Sequence, residues 1–239
     1  MGALRMALLV HVRSVRLISW WHLALGLIAA GALAATRRTT YPDDLVFGLR
    51  IAGVALAASA AFVFDDPAVS LVDSKPVPLG VQRAARFVLA LPAVGAGWWL
   101  LVRWMEAGLG PVDDRAMATL PRLAVSLEFL TLLGIVWAVA TLVMRTGRDA
   151  GGMAAALSLL AIVVALVLLP ERWSVFSSPA VPPLPGEAPS VGWNAWVDAH
   201  RRWAAIAAAA WAGVVLGLTG STRRRLLARP IKQGIGSGE

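Results

Sequence analysis

Six apolar runs alternate with short polar stretches along the chain. They cover approximately Leu17 to Ala35, Leu45 to Phe64, Phe87 to Trp104, Leu123 to Met144, Met153 to Leu169 and Trp203 to Leu218. Each comes close to the ~20 consecutive apolar residues that a helix needs to cross the hydrocarbon core of a bilayer. A lipid-exposed segment must satisfy its backbone hydrogen bonds internally, so helices are the expected form. The pattern therefore predicts an all-α integral membrane fold of six transmembrane helices filling residues 17–220. Proline is kept to the loops apart from Pro92, which falls inside the third run.

The first sixteen residues read differently. In "MGALRMALLVHVRSVR", Leu4, Leu8 and Val12 recur every four residues, while Arg5, Arg13 and Arg16 lie off that line. This spacing predicts an amphipathic helix at 1–16 lying in the headgroup layer before the first span; the alternative is one long helix continuous with that span. After the last span, residues 221–239 carry the basic cluster "TRRRLLARPIK" and form a basic tail.

Charge placement gives an orientation. With the N-terminus in the cytoplasm, 13 of the 22 Lys and Arg residues fall in inward-facing segments, in the sense of the positive-inside rule. Six spans then leave both termini cytoplasmic, in a multi-pass protein of the cell membrane.

Composition agrees with the pattern. Only 15% of the residues are charged and the mean hydropathy is +0.70, against about 25% charged in a soluble domain. The net charge of +8 would suit nucleic acid if it formed one stripe. Instead, the basic residues punctuate apolar runs, so they read as topology signals and contacts to anionic lipid, and no nucleic-acid partner is expected. There is no cysteine, which excludes disulfides and thiolate metal sites. The first run has span length and no small-residue cleavage site, so no cleavable signal peptide is expected.

The longest outward segment, "PERWSVFSSPAVPPLPGEAPSVGWNAWVDAH", is rich in proline. Its Trp173, Phe176, Trp193 and Trp196 suit a membrane interface, and Trp193–Asp198 reads as a short helix lying flat on the outer leaflet. Trp98, Trp99, Trp104 and Trp203 join them in an outer aromatic belt.

Candidate chemistry is sparse. No G-x-x-x-x-G-K-[ST] is present, so ATP cannot be held by a P-loop in this chain, and no G-x-S-x-G appears. His11, His22 and His200 lack ligand spacing. No metal, cofactor or catalytic residue is expected. Glu128 is the one ionisable group well inside a run, about 8 Å along the helix from Leu123. A carboxylate at that depth is costly and marks a functional hypothesis. Two readings stand side by side: a structural pair with Arg50 or Arg122 near the outer boundary, and a place on a substrate path. In the last run, Ala205, Ala209, Gly213 and Gly217 form a four-residue ladder of small side chains, which predicts a helix-packing face.

Between the second and third runs stands "FVFDDPAVSLVDSKPVPLG", residues 62–80. Asp65 or Asp66 is a good N-cap and Pro67 suits a first helical turn. "AVSLVD" then predicts a short helix with Ala68, Leu71 and Val72 on one side, protruding into the cytoplasm. An ordinary capped loop is the alternative.

The amphipathic start, the six spans, the "FDDPAVSLVDSKPVP" loop and the long aromatic outer loop together resemble the permease subunits of type-2 ABC exporters. The likeness is to short, alanine-rich actinobacterial members whose ATPase is a separate polypeptide. The resemblance implies that Asp65, Asp66, Pro67, Leu71 and Val72 couple the membrane domain to a cytoplasmic ABC ATPase. It also implies a second permease copy or paralogue, membrane lipid as surroundings, and export of an amphiphilic substrate, with ATP hydrolysed in another chain. The rival readings are a non-catalytic assembly or anchoring subunit of a larger membrane complex, and a membrane-embedded enzyme using Glu128 or Asp65 and Asp66. The shortage of polar groups argues against the enzyme.

Overall fold

A computed structural model of the protein describes residues 20–38, 42–65, 79–108, 120–146, 151–169, 175–178 and 188–219. The elements are α1 (Trp20–Ala35), α2 (Pro42–Ala60, closed by a 3-10 turn over Ala61–Phe64), α3 (Leu79–Glu106), α4 (Arg122–Arg145), α5 (Gly151–Val167) and α6 (Val191–Thr219). No strand occurs among the described residues. The segments Asp43–Phe64, Arg83–Glu106, Arg122–Arg145 and Val191–Thr219 are long and apolar enough to cross a membrane. The α1 and α5 helices are apolar but shorter, at 16 and 17 residues. At ~1.5 Å per residue each extends about 25 Å, against a hydrocarbon core of about 30 Å. Segment 1–16, the residues Asp66, Pro67, Leu71 and Val72, and the tail 221–239 lie outside the described residues.

The α4 helix is the axis of the bundle. Thr131, Leu132, Gly134, Val136, Trp137 and Ala138 are all buried, covering more than one side of the helix, because α2, α5 and α6 pack around it. A helix apolar all round belongs in the middle. The α1 helix packs on the far side of α2, and α3 leans on α2. α3 also reaches α4 through aromatic rings: Trp98 stacks on Phe129 at 4.3 Å between centroids, and Phe87 meets Trp137 edge-on at 5.0 Å.

Close approach between backbones depends on small residues, because dispersion replaces the hydrophobic effect between helices in lipid. A Cβ on Gly134 would come 3.0 Å from the Trp211 indole nitrogen, and one on Gly213 would come 3.1 Å from Ala138 Cβ. On Gly217 it would collide with the Thr141 hydroxyl, and on Gly26 with the Ser59 side chain. The α1–α2 seam thus rests on glycine opposite a serine, and the α4–α6 seam on glycines opposite alanine, threonine and the Trp211 ring.

Two expectations need revision at α6. Val191–Thr219 is one helix, so Trp193–Asp198 forms its first turns and is not a separate helix lying flat. The Ser190 hydroxyl accepts a hydrogen bond from the Trp193 amide at 3.1 Å, a helix-start cap, and no proline interrupts the run beyond it. Trp196 is consequently 6% exposed and sits inside the bundle, as do Trp98 and Trp203. Of the expected aromatic belt, Trp99 and Trp104 point outward.

The small-residue ladder also splits. Gly213 and Gly217 face α4, whereas Ala205 and Ala209 are exposed. The buried row is Trp203, Ala207, Ala210, Val214 and Gly217. Steps of four residues advance the angular position by about 40° each at 3.6 residues per turn. From Ala205 to Gly217 the ladder therefore rotates about 120°, enough to leave the buried face. The α3 helix, likewise, starts at Leu79, eight residues before Phe87. Arg83 and Arg86 are carried inside it because Arg86 finds acceptors in the bundle.

Candidate functional site

The buried polar groups collect in two places, at opposite ends of the bundle. At one end, Arg50 of α2, Glu128 of α4 and His200 of α6 converge. Each lies roughly two turns into its own helix, about 9 to 14 Å along the axis, so the three meet because α2, α4 and α6 run in the same direction.

The Arg50 guanidinium grips the Glu128 carboxylate with both arms: Nε donates to Oε2 at 2.7 Å and Nη2 to Oε1 at 2.8 Å. Nη2 also donates to the Ser177 carbonyl at 3.0 Å, and the guanidinium carbon lies 5.4 Å from the centre of the Phe176 ring. Glu128 is 2% exposed. His200 Nε2 approaches Glu128 Oε1 at 3.2 Å, while its Nδ1 is 2.8 Å from the Trp196 carbonyl one turn back. The carbonyl can only accept, so Nδ1 donates to it and Nε2 is the ring nitrogen turned toward Glu128. The neighbourhood is braced by the Trp203 indole, which donates to the Val175 carbonyl at 2.8 Å, and by Trp98, whose indole donates to Ser126 at 3.0 Å. A forked guanidinium–carboxylate pair of this kind is both strong and directional.

The carboxylate proposed from the sequence is therefore paired with Arg50 and does not point alone into a path. Arg122 belongs to another pair, donating through Nε to Glu106 at the end of α3. His200 was not legible as a partner, because the last span was expected to begin at Trp203 and left it outside. A cavity of about 270 Å³ adjoins this centre, with Arg50, Glu128 and Phe176 in its wall.

At the other end, Asp65 follows directly on the 3-10 turn of α2. Its Oδ1 accepts a hydrogen bond from the Gly152 amide at 2.8 Å, in the first turn of α5. An N-terminal amide of a helix otherwise lacks an acceptor and carries positive dipole charge. Asp65 thus caps α5, a neighbouring helix. Glycine is required opposite: a Cβ on Gly152 would lie 2.5 Å from Asp65 Oδ2 and 3.0 Å from Phe62 Cα. Arg86 Nη1 donates to the Phe64 carbonyl at 3.1 Å and more weakly to that of Asp65 at 3.5 Å. The Trp137 indole donates to the Ala60 carbonyl at 3.0 Å, and His22 stacks on Phe62 at 4.6 Å. Burial pushes the Asp65 carboxyl above its ordinary value, against the opposing pull of the Gly152 amide, His22 and Arg86.

Among the described residues no three His, Asp or Glu side chains converge as a metal set. Comparison with family models, curated proteins and solved structures finds no match for the chain.

Proposed function

We propose that the chain is the membrane-spanning permease subunit of an ATP-driven exporter of the type-2 ABC class. In this reading all six apolar helices cross the cell membrane, the short α1 and α5 being completed by flanking residues. Residues 1–16 lie in the inner headgroup layer and both termini are cytoplasmic. The Arg50–Glu128–His200 centre then belongs to the outer half and Asp65 to the cytoplasmic boundary. A separate ABC ATPase docks on the 65–78 loop through Asp66, Pro67, Leu71 and Val72, and a second permease, identical or related, completes the pore for an amphiphilic substrate.

The observation that supports this best is the Asp65–Gly152 clamp. Coupling needs a lever tied to the elements it moves, and packed helices respond as units. Residue 65 fastens the end of α2 to the start of α5, so force applied to the segment that follows would reach both helices together.

The test is Leu71→Asp in the full chain. A charge in an apolar contact and without a counter-charge costs several kcal/mol, while the spans keep their apolar faces. The variant is expected to express and run as a single species in detergent, yet to lose the bound ATPase and its stimulated ATP hydrolysis. Retention of both makes 66–78 an ordinary loop.

A further inference from the structure

The cavity beside Arg50 is more than a packing fault. Its volume of about 270 Å³ exceeds the ~150 Å³ apolar cavity that suffices to take up benzene. Its walls are α2 with Val54, α4 with Phe129 and Leu132, α3 with Trp98, and α5 with Val163. Two rim residues look outward: Phe47 is 47% and Val167 64% exposed. The mouth is therefore between α2 and α5, on a side of the bundle built from apolar helices. Along α2 the lining runs from Phe47 to Val54, about 10 Å at 1.5 Å per residue.

Polarity is confined to one part of this wall, where Arg50 and Glu128 stand. The carboxylate is consumed by the guanidinium, leaving no net charge there to repel an anionic or a zwitterionic head. Arg50 spends Nε and Nη2 on Glu128 and Ser177. Its third nitrogen, Nη1, makes no hydrogen bond to a described residue, although guanidinium carries five donors. A slot about 10 Å long, apolar for the ~6 Å from Arg50 to Val54 and carrying one further guanidinium donor, matches part of an acyl chain that ends in ester or phosphate oxygens. We infer that the α2–α5 cavity is a phospholipid site, with one acyl chain between Val54, Phe129 and Val163 and an oxygen of the glycerol-ester or phosphate region on Arg50 Nη1.

This inference does not rest on the exporter reading: a chain that captures no ATPase keeps the cavity. The experiment reconstitutes the full chain in nanodiscs of phosphatidylethanolamine and phosphatidylglycerol with a phospholipid carrying a diazirine on its acyl chain, and maps the labelled peptides by mass spectrometry. Labelling of 50–54 and 163–167 is expected to saturate with probe and to be competed by unlabelled lipid. At the outward-facing Leu25 and Ile28 of α1 it is expected to rise linearly. Val163→Phe, which fills the slot from α5, should lower the saturable labelling at least fivefold and leave α1 unchanged. Linear, uncompeted labelling at 50–54 and 163–167 in the wild-type chain overturns the site, whatever the variant does. So does a monodisperse Val163→Phe protein that labels like wild type.

Discussion

Glu128→Ala should be among the most damaging single substitutions in the chain. It would leave the Arg50 guanidinium, now holding only the Ser177 carbonyl at 3.0 Å, as an uncompensated charge in a nearly closed site. Removing one partner of a buried pair costs about 3–5 kcal/mol, roughly two to four powers of ten in the folding equilibrium. Arg50→Ala should likewise be costly, because it leaves the buried Glu128 carboxylate without the guanidinium that grips both its oxygens. The double variant Arg50→Met, Glu128→Leu removes both charges and keeps volume, and buried pairs replaced in this way often come out neutral or stabilised by about 1–4 kcal/mol. Denaturant unfolding in mixed micelles, followed by tryptophan fluorescence, measures all three. Measured against its own singles Arg50→Met and Glu128→Leu, the double should be strongly non-additive, with a coupling energy above about 2 kcal/mol, at the upper end of what contacting residues show. A coupling below about 0.5 kcal/mol, the level of independent sites, would refute the assignment of these groups as one buried unit.

The other predictions follow from the same geometry. Gly217→Leu and Gly213→Leu should destabilise the α4–α6 seam by at least 1–3 kcal/mol, in the range for overpacking. Ala205→Leu and Ala209→Leu, on the outward face, should stay within about 0.5 kcal/mol in the same unfolding assay. Asp65 has a folded-state value raised above 3.8, so the folded state binds its proton more tightly than the unfolded chain does. Its contribution to stability is fully present below about 3.8 and is lost as the pH rises through the higher folded value; Asp65→Asn, which keeps an acceptor for Gly152, should flatten that part of the stability profile. In this cysteine-free chain, single cysteines at Ser190 and Ser221 should label from opposite sides of the membrane, and labelling from the same side would contradict six spans.

The helices were legible because burial in lipid leaves long apolar runs, and each expected run overlaps one helix. Their ends were less so. Leu79 and Val191 begin helices well before the apolar stretches do, since Arg86 and His200 could be assigned to a bundle interior only once their acceptors were known. Glu128 stood out by depth alone, and Arg50 could be named as a partner because it lies at a similar depth in a neighbouring run. The role of Asp65 was hidden for another reason. Its sequence context is that of a cap for the residues after it, while its actual acceptor duty is to Gly152, 87 positions along the chain. Spacing along one helix also misplaced the small-residue face, because a four-residue repeat rotates off a 3.6-residue surface.

Affinity purification of the tagged full chain in mild detergent tests the central claim most directly. The exporter reading predicts that a P-loop ATPase co-elutes in equal number with the permease chains, and that it is lost with Leu71→Asp while the permease stays monodisperse. A chain that elutes without any ATPase, or in a stable complex of other membrane proteins with none, would contradict it.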